Sequence, residues 1–196
     1  YLRKKHTRRH TKCGRKKQKK TMIKERISIH CRDKEIQAKQ EFGHWESDSV
    51  IFSKQKAGIS VQYERKSQLC RITRIENRSA LETKNALLCT IESLPQELFK
   101  TMTFDNGGEG ACHRDIRDEY DIKTYFCDSY KSWQKGGVEN MNGLIREYLP
   151  RQTVLSTLTD RYLYDIQERI NNRPRKALDY RTPNEVIKSH LELVHC

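Results

Sequence analysis

Between Trp45 and Ile75 the chain carries three short β-prone runs, SDSVIF, AGISVQYE and QLCRITRIE, separated only by the polar stretches SKQK and RKS. Runs this short, this closely spaced and split by turn-forming residues read as consecutive strands of a meander. Beyond Ile75, helical and strand-like segments alternate. Residues 79–94 have helical spacing at Leu81, Ala86, Leu88 and Ile91, with Ser79 as N-cap, Glu82 completing a capping box and Pro95 beyond the end. LFKTMTF (98–104) reads as a buried strand stopped by the turn Asp105-Asn106-Gly107-Gly108. A short helix is expected at about 111–120, a strand at 122–127, a helix from about Val138 to Tyr148 closed by Pro150, and an amphipathic helix over 159–174 stopped by Pro174. Three strands followed by helix, strand, helix, strand and helices predict a mixed α/β fold.

Charge divides the chain into two parts. Of 39 Lys and Arg residues in the 196-residue chain, twelve lie in residues 1–24, which hold no Asp or Glu. The remainder has 39 − 12 = 27 basic and 26 acidic residues, so the net charge of +13 belongs to the extension. A block this dense repels itself and is expected to be flexible when free. Its expected use is contact with phosphates by Arg3, Lys4, Lys5, Arg8, Arg9, Arg15, Lys16 and Lys17. Residues 1–41 are therefore read as basic extension and linker, the latter with a short helix, and 42–190 as the folded core. No apolar run is long enough to span a membrane, and no secretory leader is expected. The seven cysteines form no C-x-x-C pair and no zinc-ligand spacing, which points to reduced thiols of a cytosolic protein.

Three acids stand out by position. Asp48 lies within the first strand, where a carboxylate is costly to bury without a partner or a metal. Asp105 closes a buried strand, the edge at which open α/β sheets bind ligands. Glu139 falls in the first turn of a helix, just after Gly136-Gly137. Glu139, Asn142, Gly143 and Arg146 then share one helix face, where Gly143 permits close approach of another backbone and Arg146 can reach a phosphate. Carboxylates converging from strand, strand end and helix suit hard cations such as Mg²⁺, and a pair of such ions serves in-line displacement at phosphorus. Each acid alone has a plainer explanation: an edge-strand surface residue, a turn, a helix-dipole partner. Glu46 shares a strand face with Asp48 and is its substitute if the register shifts.

The segments GHWESD, YERKSQ, TFDNGGE, YFCDSYKSWQKGGVENMNGLIREYLP and NNRPRKALDYRTPNEV resemble, in order, the catalytic region of IS-thirty family bacterial transposases. The resemblance covers about Phe42 to Val186. It implies a ribonuclease H-like mixed five-stranded sheet flanked by helices. In this family 33 residues separate the second and third carboxylates, and here 139 − 105 − 1 = 33. Asp48, Asp105 and Glu139 match the family's catalytic, metal-binding DDE triad, Arg146 the basic residue seven positions after the Glu, and Asn106 and Asn142 motif positions beside the site. The resemblance implies two Mg²⁺ (or Mn²⁺) ions, water attack on a phosphodiester at the transposon end, and attack of the freed 3′-hydroxyl on target DNA. It also implies Lys131, Trp133 and Lys135 on a loop beside the DNA, with Trp133 free to stack on a base or to pack in the core. A homo-oligomer that synapses DNA ends, in the bacterial cytoplasm and on the nucleoid, completes the expectation.

The chain departs from the family pattern at Gly110, where an aromatic is usual. That change is expected to remove a core anchor beside Asp105 and loosen the site. Ser129 and Val138 also replace commoner residues. The first residue is Tyr1, and the helix-turn-helix region that such enzymes use to find their ends is expected to be missing by truncation. A degraded remnant that binds DNA without cutting it is the competing reading.

Overall fold

The computed structural model describes residues 23–129 and 131–194. Its elements are α1 (Lys34–Ala38), β1 (His44–Ile51), β2 (Gly58–Glu64), β3 (Cys70–Ile75), α2 (Ala80–Glu92), β4 (Thr101–Phe104), α3 (His113–Tyr120), β5 (Lys123–Phe126), α4 (Gly136–Tyr148), α5 (Asp160–Asn171) and α6 (Pro183–Val194). The five strands form one sheet in the order β3-β2-β1-β4-β5. β1, β2 and β3 pair antiparallel as a meander, while β4 joins β1 and β5 joins β4 in parallel. This is the mixed five-stranded, helix-flanked α/β sheet the sequence predicts.

Period-two alternation along β1 sorts its side chains between two cores. Trp45 packs with Leu87 and Ile91 of α2, Met102 and Phe104 of β4, and Ile116 of α3. Val50 packs on the other face with Val138, Met141 and Ile145 of α4 and Leu163 and Ile166 of α5. Glu46 and Asp48, at the same parity as Val50, therefore face α4. Among the described residues no helix is long and apolar enough to cross a membrane.

Several local expectations need correction. The Ser79 hydroxyl does accept the Glu82 N–H (3.2 Å), but the Glu82 carboxylate turns to the Glu76 N–H (3.1 Å) and leaves the reciprocal half of the box unmade. The buried stripe of α2 is Thr83, Ala86, Leu87, Thr90 and Ile91; Leu81 is exposed. Helix α6 lies where only motif residues were read. Its Ile187 enters the Trp45 core.

Residues 25–41 are not a loose linker. Ile29 and Ile36 are buried, Ser28 bridges Phe126 at the outer side of β5, and the Ile27 carbonyl accepts the Phe126 N–H (2.9 Å). The His113 ring contacts the Lys24 carbonyl at 2.9 Å, and Arg26 donates to Asn106. At the opposite side of the sheet, α5 reaches β3 through side-chain amides. Asn171 accepts from the Cys70 N–H (2.9 Å) and donates to the Cys70 carbonyl (2.8 Å), and Gln167 accepts from the Ile72 N–H (3.0 Å). The basic residues from Arg3 to Lys17 lie outside the described residues.

Candidate active site

The parallel pairing aligns Glu46 with Thr103. That is the last pair of the β1–β4 ladder; Asp48 lies two residues further along β1, and Asp105 is the first residue beyond β4. Asp105 follows the last residue of β4 and is exposed; its Oδ1 accepts the Gly107 N–H at 2.7 Å. A Cβ at position 107 would lie 2.8 Å from that oxygen, so the glycine makes room for the turn. Asn106 clips the turn to β5 by donating to the Cys127 carbonyl.

Asp48 is partly exposed, and donors meet both of its oxygens. Asn142 of α4 donates to Oδ2 at 2.8 Å, and the Lys135 ammonium lies 3.3 Å from Oδ1. Glu139 stands one helical turn before Asn142, exposed in the first turn of α4. A further carboxylate, Glu109, lies within electrostatic reach of Asp105 and Asp48. Glu109 accepts from the Ser49 hydroxyl at 2.5 Å. Burial raises its pKa against that hydrogen bond, and the nearby Asp105 and Asp48 charges push the same way. Sequence reasoning did not single out Glu109 as a site residue; its place four residues after Asp105 was the one signal for it.

Glu46 has a different role from Asp48. It is 2 % exposed, pairs with the equally hidden Arg65 at 3.2 Å, and accepts the Val138 N–H at 3.0 Å. It fixes the start of α4 from behind and offers nothing to the surface. Gly137 makes this contact possible, because a Cβ there would lie 2.3 Å from the Tyr63 ring and 2.9 Å from the Glu46 carboxylate. Gly137→Ala is expected to destabilise the fold by about 1–3 kcal/mol, the usual cost of overpacking. The urea midpoint measures it, and an unchanged midpoint would refute the close contact.

The remaining predicted residues divide. Arg146 stacks on Phe52, 4.6 Å from the ring centre, and donates to the Ile51 and Leu149 carbonyls. It lines a cleft of about 480 Å³ between the end of β1 and α4, together with Ser49, Asn142 and Arg151. Burial, with Arg151 nearby, lowers its pKa. Trp133 is 68 % exposed, which excludes the core alternative. Lys131 pairs with Asp128 at 2.7 Å. Lys135 is buried and turned inward to Asp48 rather than outward along the loop. Gly143 faces open space instead of another backbone. Gly110 leaves no hole either. A Cβ there would meet Phe126 at 3.0 Å and Phe104 at 3.4 Å, so these two rings already fill the place of the missing aromatic.

The donor set is all hard oxygen, the chemistry that Mg²⁺ or Mn²⁺ selects. Among the described residues, however, no three His, Cys, Asp or Glu side chains are grouped closely enough to hold a metal ion. The carboxylates suit such an ion in kind, and Asp48 needs to give up a donor to take one.

The mixed sheet, ordered β3-β2-β1-β4-β5 and flanked by helices, has the fold of retroviral integrase cores. The bovine immunodeficiency virus integrase core matches it with TM-score 0.59 at 18 % identity, over 80 % of this chain and 100 % of that one. The HTLV-2 integrase core in complex with magnesium matches with TM-score 0.55 at 20 % identity, over 73 % of this chain and 94 % of that one. No protein-family profile matches the chain. Over nearly all of its length the chain is similar in sequence to bacterial insertion-sequence transposases. It is 38 % identical over 188 residues to the transposase InsI of insertion sequence element IS30A from Escherichia coli K12, covering 96 % of this chain and 48 % of the relative. It is 36 % identical over 181 residues to the transposase of IS4351 from Bacteroides fragilis, covering 92 % of this chain and 55 % of the relative. The chain thus spans about half the length of the curated relatives it matches.

Proposed function

We propose that the chain is the catalytic region of a DDE transposase, performing divalent-metal-dependent phosphodiester hydrolysis and strand transfer on DNA. The observation that carries this reading is the bond from Asn142, one turn beyond Glu139 on α4, to Asp48 on β1, the strand that pairs in parallel with the one Asp105 follows. Asp48, Asp105 and Glu139 are the catalytic and metal-binding residues of this proposal. When bound, two divalent ions supply an activated oxygen nucleophile and counter-charge for the leaving oxygen. Asp105 presents its other oxygen from the turn that Asn106 and Gly107 shape, and Glu139 lies open to solvent in the first turn of α4. Arg146 and Asn142 line the adjoining cleft, where a DNA phosphate fits the charge of Arg146 and Arg151. Trp133 and Lys131 offer a stacking face and a cation on the exposed loop. Residues Arg3 to Lys17 hold the DNA backbone without reading its sequence. The same reading makes the protein a homo-oligomer when two DNA ends are brought together, acting on the bacterial nucleoid.

The test is nicking of supercoiled plasmid, and joining of a labelled oligonucleotide to it, by the chain with Mg²⁺ or Mn²⁺. Nicking that a chelator stops is the expected result. Inactivity with both ions, or activity indifferent to the chelator, would sink the reading. A remnant that only binds DNA is the less favoured alternative, because neither Gly110 nor its surroundings has opened the site.

A further inference from the structure

We propose that Lys135 is the internal counter-ion of the metal-free site: its ammonium holds Asp48 in place of a divalent cation, and the cation displaces it on binding. This rests on the metal-dependent reading above.

The Lys135 side chain is 5 % exposed. A lysine is almost never buried this far unless it is paired. Its ammonium donates to the Ser47 carbonyl at 2.8 Å and to Asp48 Oδ1 at 3.3 Å. With Asn142 on Oδ2, a carboxylate expected to ligate a metal has a donor at each oxygen. An ammonium there neutralises Asp48 as a metal would, but as a point charge that a divalent ion can outcompete. The chain beside it has room to yield. Position 136 has open space on its Cβ side, and the turn carrying Lys135 also carries the exposed Trp133. Gln134, between Trp133 and Lys135, ties this turn to the loop start by donating to Asp128 and accepting the Asp128 N–H. Displacing Lys135 would therefore strain the Gln134–Asp128 tie and change the setting of the adjoining Trp133. Lys135 acts on the metal through Asp48, and is a positioning residue.

Calorimetric titration of the purified chain with Mn²⁺ tests this. Lys135→Met keeps the buried stem and removes the charge, and is expected to bind Mn²⁺ about fivefold tighter than wild type, the scale of one partly exposed ion pair. Lys135→Arg should stay at the wild-type affinity. Equal or weaker binding by Lys135→Met would overturn the proposal, since a merely structural lysine gives that result. Asp105→Asn serves as the control. Wild-type binding that this change removes, together with no gain in Lys135→Met, defeats the proposal alone. No binding by wild type defeats the metal-dependent reading and the proposal with it. Should Lys135→Met not fold, acrylamide quenching of wild-type Trp133 decides: it is expected to change on adding Mg²⁺, and constancy would overturn the displacement.

Discussion

Asp105→Asn is expected to lower metal-dependent DNA nicking and strand transfer by about a thousandfold. A bound divalent ion contributes several kcal/mol of charge stabilisation in the transition state, and each ~1.4 kcal/mol is tenfold in rate. The substitution removes the anionic charge and one hard donor oxygen while keeping the side chain's shape. It also keeps the local structure, because an asparagine Oδ1 can still accept the Gly107 N–H that Asp105 holds at 2.7 Å. The turn, its clip from Asn106 to β5 and the fold around it should therefore persist. Three measurements separate chemistry from damage: plasmid nicking, DNA binding by fluorescence anisotropy, and the thermal midpoint. Only the first is expected to change. Wild-type nicking by the variant would remove Asp105 from the site, and a fallen midpoint would make the activity loss a folding effect.

Glu46→Ala is expected to destabilise the fold by about 3–5 kcal/mol, the range for breaking a buried ion pair by removing one partner. The loss has two parts. Arg65 is left charged and buried, and the Val138 N–H loses its acceptor in the first turn of α4. Glu46→Gln should cost less, since its amide oxygen can still take the Val138 N–H. Adding Arg65→Met to Glu46→Ala should recover part of the loss, because the stranded charge is then gone. Urea denaturation of the single and double variants measures each term. Equal destabilisation by Glu46→Ala and Glu46→Gln would mean that charge alone matters at this position.

The parts of the fold that were readable from sequence rest on local chemistry. The meander is visible because polar turns interrupt short β-prone runs, and α4 because Gly136-Gly137 opens it and Pro150 closes it. The sequence favours Asp48 over Glu46, although period two gives both the same face. Only the packing of Arg65 and Tyr63 decides that Glu46 is sealed behind the helix. The resemblance puts Lys135 on a loop beside the DNA, and the structure turns it inward. Its inward turn depends on a carboxylate 87 positions away. Gly110 was misjudged for the same reason: the rings of Phe104 and Phe126 that cover it come from two strands, and no local pattern reports their meeting. The docking of Ser28 and Ile27 on Phe126 is likewise a long-range backbone pairing, and the polar, mixed composition of residues 25–41 conceals it.

The amides of Asn171 and Gln167 on β3, and the segment around Ser28 on β5, have a consequence for assembly. A sheet normally ends in unpaired backbone groups that recruit a strand from another molecule. Here α5 answers those groups at one border, and the chain's own early segment answers them at the other. A strand from a second copy would have to displace these contacts before it could pair at Cys70, Ile72 or Phe126.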